Sequence, residues 1–358
     1  VTASKKIIVI GGGIIGASIA WHLTRAGAQV LVFCAAPGGV ATPNSFAWIN
    51  ANWGNPEPYF HLRRAAMAGW RRLADAVPGI APQWNGSICY DLQPDGLERF
   101  AAEHKSWGYG IARISREEIH ALEPKIAAPP EWALKIDEEG MIEPVPAAQA
   151  LLADAARLGA DVQVGRNILR LAVEAGRVTG IVTADGTITA DEVVVAAGAA
   201  TSALAQTAGV IVPATASPGL LVETKPARAL IRHIVVAPEM EMRQAADGRI
   251  IAATSFNGTD PGEDPEATAR AVFADLVSRL SPDCGLEYQG YRTGFRPLPK
   301  DGFPIVGRAA ETAGFYLAVT HSGITLAPAI GQFSADEVLT GQDEPLLAPY
   351  RLSRFGQG

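Results

Sequence analysis

The 358-residue chain reads as an α/β protein of two lobes, one built on a parallel sheet and one a mixed-sheet α+β unit. Three observations predict this. A β-branched run, Lys6-Ile7-Ile8-Val9-Ile10, passes straight into Gly11-Gly12-Gly13-Ile14-Ile15-Gly16 and then into a helical run ending near Ala26-Gly27. Strand and helix patterns alternate after that, which implies parallel pairing. Segments in the middle of the chain interrupt the alternation, so the second lobe is assembled from insertions and both lobes are discontinuous in sequence.

The opening segment is the most informative. G-x-G-x-x-G between a strand and a helix is the dinucleotide-binding turn in the context it requires. Gly11 permits the tight turn, Gly13 lets backbone approach a pyrophosphate, and Gly16 lets the helix pack close to the strand. Ile14 and Ile15 open the helix, whose free N–H groups and positive dipole end face the phosphates.

The elements follow in order. Ile7–Ile10 is a strand, Ile14–Ala26 a helix with Gly27 as its C-cap, and Val30–Phe33 the second strand. Ala35–Pro58, rich in Pro, Gly and Asn, is a loop. Tyr59–Ala76 and Arg116–Leu122 read as helices, as does Ala147–Leu158 with Gly159 as its stop. Asp161–Val164 is a strand, and Leu169–Val173 with Val178–Thr183 forms a hairpin around Glu174-Ala175-Gly176. Asp191–Ala196 is a buried strand. Further strands are expected at Gly219–Glu223, Glu239–Arg243, Arg249–Ala253 and Phe315–Val319, with helices at Ala267–Leu280 and Ile324–Leu339.

Composition narrows the function. Nearly half the chain is apolar and 19% is charged, so it buries a sizeable core. A net charge of -7, with no Lys/Arg stripe, argues against nucleic acid as a partner. Cys34, Cys89 and Cys284 are widely spaced and form no C-x-x-C pair, so neither a disulfide framework nor a metal site is expected. The N-terminus shows no separate signal peptide, and Ile7–Ala20 is too short to span a bilayer. A soluble cytoplasmic protein is the expectation.

Beyond the fingerprint, four blocks occur in a familiar order. Glu139–Pro144 precedes the middle helix, Val193–Ala200 reads VVVAAGAA, Gly294–Gly307 reads GFRPLPKDGFPIVG, and His321–Pro328 reads HSGITLAP. Together they resemble the D-amino-acid oxidase/glycine oxidase superfamily of FAD enzymes. The resemblance implies a Rossmann-like FAD-binding domain from residues 1–45, 145–215 and 290–358, and a substrate domain from 46–144 and 216–289.

It also assigns candidate residues. Gly11, Gly13, Ile14, Ile15 and Gly16 would hold the FAD pyrophosphate, and Thr42, Asn44 and Ser45 would pass near pyrophosphate and flavin. Ile168 would meet adenine through its backbone, with core packing as the equal alternative for its side chain. Ala197 and Gly198 would let backbone pass close to the dinucleotide. Gly323, Ile324, Thr325 and Leu326 open the last helix, whose N–H groups would face the flavin edge where charge collects on reduction.

Cys34 departs from the pattern. It ends the second strand, where an acidic residue ordinarily holds the adenosine ribose hydroxyls. A thiol cannot offer a carboxylate's two acceptors. FAD is then held by other contacts, held more weakly, or lost; the intact remaining blocks favour the first.

Arg296 is the leading catalytic and substrate residue. Its planar fork suits a carboxylate, and the resemblance gives it that role. A structural ion pair with Asp301 or a glutamate is the competing reading. Arg292 alternates onto the same strand face, as assistant or as plain structure. His321 stands before the last helix, in a loop shorter than the family's usual GHSGHG, to orient substrate, tune the flavin or serve structure. Glu241 falls near a substrate-facing position and would favour a cationic or larger polar substrate; the competing reading is a solvated strand face. Trp48, Trp53, Tyr59 and His61 are candidate pocket walls, with core packing as the alternative.

The implied reaction is oxidation of a small amino acid or N-substituted amino acid by hydride transfer to flavin N5, giving an imine that hydrolyses. Oxygen or another acceptor would reoxidise the flavin. Two rivals remain: a flavin-dependent 2-hydroxy-acid dehydrogenase with His321 as base, and a flavin-binding subunit of a hetero-oligomeric amine or opine dehydrogenase. The chain is compatible with a homo-oligomer or a hetero-oligomer.

Overall fold

The computed structural model describes residues 4–52, 54–254 and 259–356. Its helices are α1 (Ile14–Arg25), α2 (Glu57–Ala76), α3 (Pro94–Ser106), α4 (Arg116–Leu122), α5 (Pro144–Arg157), α6 (Thr201–Gln206), α7 (Pro265–Ser278) and α8 (Gly323–Thr340).

The expected parallel sheet has six strands in the order Ile305–Arg308, Phe315–Val319, Glu192–Val195, Lys6–Ile10, Gln29–Cys34 and Asp161–Val164. Its neighbours pair parallel, except that the edge strand Ile305–Arg308 returns antiparallel. The central strands are buried on both faces, which is why Ile7–Ile10 and Val193–Val195 read as unbroken apolar runs. α1 and α5 pack together, and α8 lies between α1 and α2. Trp70 of α2 donates its indole N–H to the Ile324 carbonyl at 2.8 Å, so α2 fixes the start of α8.

The hairpin after Asp161–Val164 forms as read, with Ala175 and Gly176 both at positive φ in its two-residue turn. A third strand, Gly186–Thr189, extends it into a small antiparallel sheet.

The second large sheet has eight strands in the order Tyr288–Pro299, Ala214–Thr224, Ile250–Ala253, Met240–Gln244, Ile234–Ala237, Ser87–Cys89, Trp132–Ile136 and Ile111–Ser115. It mixes parallel and antiparallel pairs. Here two expected domain breaks need correction. Residues 215 and 290 both fall inside long strands that pair with each other from Ala214↔Pro299 to Thr224↔Tyr288. The first half of Ala214–Thr224 is largely exposed, so the sequence pattern shows a strand only from Gly219, close to the start of the buried half. The strands Ser87–Cys89, Ile111–Ser115 and Trp132–Ile136 and the helix α3 are not expected from the sequence; strands of three to five residues leave little periodicity to read.

Candidate active site

The strand Lys6–Ile10 ends in a turn that no other residue would fit. Gly11 has φ +128°, and a Cβ there would lie 2.1 Å from the Ala196 carbonyl oxygen. A Cβ on Gly16 would lie 2.1 Å from the Gly11 oxygen, so α1 crosses directly over the turn. The Gly11 N–H donates to Phe33 O at 2.9 Å, tying the turn to the end of the second strand.

A cavity of about 740 Å³ opens beside this turn. Gly11, Gly13, Ile14 and Ile15 line it, with Cys34 and Ile168. Thr42, Asn44, Ser45, Ala197 and Gly198 line it as well. Gly323, Ile324 and Thr325 bring in the start of α8, where a Cβ on Gly323 would stand 3.5 Å from the Ile15 side chain. Thr42 also caps α1, because its Oγ1 accepts the Ile14 N–H at 3.1 Å.

Two predicted cofactor contacts lie off this wall. Gly16 sits beneath the turn and serves packing. Leu326 is buried and donates its N–H to the Ser322 carbonyl at 3.1 Å, so the α8 donors that remain are Gly323, Ile324 and Thr325. Ser322 enters α8 at φ +57°, the left-handed region, which turns the chain sharply into the cavity wall.

Arg296, Glu241, Trp48 and His321 all line the cavity near α8. The Arg296 guanidinium lies across Gly219, where an added Cβ would stand 2.7 Å from Nη2. Nη2 donates to the Pro218 carbonyl at 2.9 Å, while the buried Nε has no hydrogen-bond partner among the described residues. Asp301, one expected partner, pairs instead with Arg354 at 2.7 Å.

Glu241 corrects the solvated-face reading. It is 4% exposed, on an inner strand, Met240–Gln244, that is buried on both faces. Burial pushes its carboxyl up to about 8, opposed by the Arg296 charge and reinforced by Asp91. Burial also pushes the His321 imidazole down to about 4, with Arg296 and Arg63 adding to the effect, so it is neutral at pH 7. Its Nδ1 lies 3.1 Å from Ser322 Oγ.

Arg292 does not reach the cavity. It pairs with Glu223 and donates to the Pro43 carbonyl, which anchors the Thr42–Ser45 segment. Tyr59 is buried against Phe303 and Tyr350, and His61 stands 3.5 Å from Glu57 on the outer side of α2. Trp53 lies outside the described residues.

Sequence reasoning missed Arg63 and Asn50. Arg63 is 1% exposed and donates to Asn50 O at 3.0 Å and to Asn50 Oδ1 at 2.6 Å, at the cavity wall. The Arg63-Arg64 pair on an amphipathic helix gives no sign of which arginine turns inward.

A parallel sheet with this glycine turn, and a second helix N-terminus on the same cavity, has the architecture of a dinucleotide-dependent enzyme. The chain belongs to the FAD dependent oxidoreductase family, DAO, whose family model matches residues 6–337. It is 26% identical over 346 residues to a glycine oxidase of Bacillus licheniformis, covering 93% of this chain and 92% of the relative. It is also 26% identical over 365 residues to a subunit of the opine oxidase of Agrobacterium tumefaciens (strain Ach5), covering 97% and 96% respectively. The crystal structure of an L-proline dehydrogenase from P. horikoshii shares the fold with a TM-score of 0.89 and 22% identity, covering 98% of each chain.

FAD fits the residues present. The turn offers a cradle that any Cβ would fill, and α1 and α8 both point helix N-termini at the cavity. Cys34 alone is chemically unlike the ribose acceptor it replaces. Its thiol is packed against Gly12, 2.9 Å from where a Cβ would stand, and burial raises its pKa, so it stays protonated.

Proposed function

We propose that this FAD enzyme oxidises a small amino acid or N-substituted amino acid to an imine, which water then hydrolyses. The observation that carries this reading is the Arg296 guanidinium: it faces the cavity beside the α8 N-terminus, and its buried Nε is unpaired among the described residues. A substrate carboxylate supplies the missing acceptors in a planar, two-point contact. The similarity to an enzyme named glycine oxidase supports the same class.

Bound FAD supplies the hydride acceptor. The protein's own work is positional. Arg296 fixes the carboxylate and hence the direction of the neighbouring C–H bond. Trp48 and the start of α8 close the cavity around that carbon. The free N–H groups of Gly323, Ile324 and Thr325 stabilise negative charge at the cavity end they face.

A second reading, oxidation of a 2-hydroxy acid, is favoured by one feature: neutral His321 can accept a hydroxyl proton. Anaerobic mixing of the flavin-loaded enzyme with pooled amino acids and N-alkyl amino acids, and separately with 2-hydroxy acids, distinguishes them. Bleaching by the amine pool is the expected result. Bleaching by hydroxy acids alone overturns the proposal.

A further inference from the structure

Glu241 faces the cavity from an inner strand and is 4% exposed. Among the described residues it accepts no hydrogen bond; the charges that act on it are those of Arg296 and Asp91. Arg296 reaches from the edge strand across Gly219, on the side where the sheet strand that carries Glu241 lies. The two side chains feel each other electrostatically, yet no ion pair joins them.

A buried carboxylate without a donor is costly, and so is a buried guanidinium nitrogen without an acceptor. Above about pH 8, where Glu241 is ionised, the two are opposite charges that share a cavity without closing on each other, complementary to a ligand carrying the reverse pair. An ionised amino acid is such a ligand. A hydroxy acid is not, because it brings a carboxylate for Arg296 but no cation for Glu241.

We propose that Glu241 binds the protonated nitrogen of the substrate and takes its proton, and so is a catalytic residue that restricts the enzyme to ionised amines. This rests on the reading of the cavity as an amine-carboxylate site. In the step one N–H bond breaks and one O–H bond forms on the Glu241 carboxylate. The bonding pair stays on nitrogen as the lone pair that the departing α-hydrogen requires. The ammonium and the carboxylate both become neutral, and nothing is oxidised until the hydride leaves.

The surroundings suit the transfer. A carboxyl raised to about 8 holds a proton almost as well as an amine does, so the exchange is nearly balanced. Arg296 remains charged at the carboxylate end. Asp91 follows the strand Ser87–Cys89, and Cys89 lies in the same cross-strand row as Glu241 through Val236. Arg63, also on the cavity wall, is held by Asn50, and neutral His321 adds no competing cation.

The test titrates flavin-loaded wild type, Glu241→Gln and Arg296→Ala with two ligands, reading the flavin spectrum. One is 2-aminoisobutyrate, which has no α-hydrogen and does not react. The other is pivalate, which has a methyl in place of the ammonium. The expected result above about pH 8, where Glu241 is ionised, is that wild type prefers the amino acid about tenfold or more, Glu241→Gln loses that preference, and Arg296→Ala loses both ligands. With a reacting amine, the acid limb of kcat/KM should also move up by about one pH unit or more in Glu241→Gln, toward the substrate's own ammonium pKa. A preference and an acid limb that survive in Glu241→Gln overturn the proposal alone. Failure of wild type to bind either ligand overturns the amine-carboxylate reading and this proposal with it.

Discussion

Trp48 Nε1 donates a 2.9 Å hydrogen bond to the carboxylate of Glu139, which is fully buried. The same carboxylate accepts from Ser87 Oγ at 2.6 Å and from the Tyr109 hydroxyl. One acidic group therefore ties a wall of the cavity to the strand Ser87–Cys89 and to the segment after α3. Burial raises its carboxyl to about 7, against the pull of its hydrogen-bond donors.

The sign of its pH effect follows. Folding raises the Glu139 pKa from an unfolded value of about 4.3, so its protonated form contributes stability that is full below that value. The contribution is lost as pH rises through about 7. Glu241 acts in the same direction up to about 8. His321, pushed down to about 4, acts in the opposite sense up to its unfolded value of about 6.5. Chemical denaturation between about pH 6.5 and about pH 8 should therefore show wild-type stability falling with pH, and Glu139→Gln should have a shallower slope. Glu139→Ala should be less stable by about 2–4 kcal/mol, because three buried donors lose their acceptor.

Arg296→Ala should lower kcat/KM by about 100-fold or more, with FAD retained. Arg296→Lys should recover only part of this, since an ammonium cannot make the two-point contact. Steady-state kinetics together with the flavin-to-protein ratio checks both. Unchanged kcat/KM in Arg296→Ala removes the residue from the role.

Cys34→Glu should tighten FAD binding by about tenfold, by returning two acceptors to the end of the second strand. Titration of apoprotein with FAD measures this. Unchanged affinity means that the neighbouring contacts already hold the adenosine end at full strength.

Thr42→Val removes the acceptor of the Ile14 N–H and leaves α1 uncapped at the end that faces the cofactor. A loss of about 1 kcal/mol, or about fivefold in FAD affinity, is expected. Thermal unfolding of holoprotein and apoprotein separates the two effects: a capping role lowers both midpoints, a cofactor role only the first.

What can be read from the sequence is what local chemistry dictates. The strand, glycine turn and α1 need particular residues at fixed spacing, and α8 starts at its expected place. Arg296 and His321 stand out because a charged or titratable side chain beside apolar sequence demands an explanation. Glu241 is visible in the sequence but reads toward solvent, since the burial of an inner strand depends on neighbours far away in the chain. Its partner residue Ala253, for instance, belongs to a different strand. Arg292 shares a strand face with Arg296, but Glu223 and the Pro43 carbonyl hold it off the cavity wall. Arg63 and Asn50 give no signal as site residues, because a tertiary contact alone brings each to the cavity, and Glu139 touches the cavity wall only through Trp48.

The cavity wall begins at Ile10 and ends at Thr325. A ribosome adding about 5–20 residues per second completes the glycine turn roughly 15–60 seconds before α8 exists. Throughout that interval the emerging polypeptide owns one half of a flavin clamp and cannot close it. Colour is thus acquired only at the end of synthesis, and a chain stopped short of α8 is expected to stay colourless however well its first strands have folded.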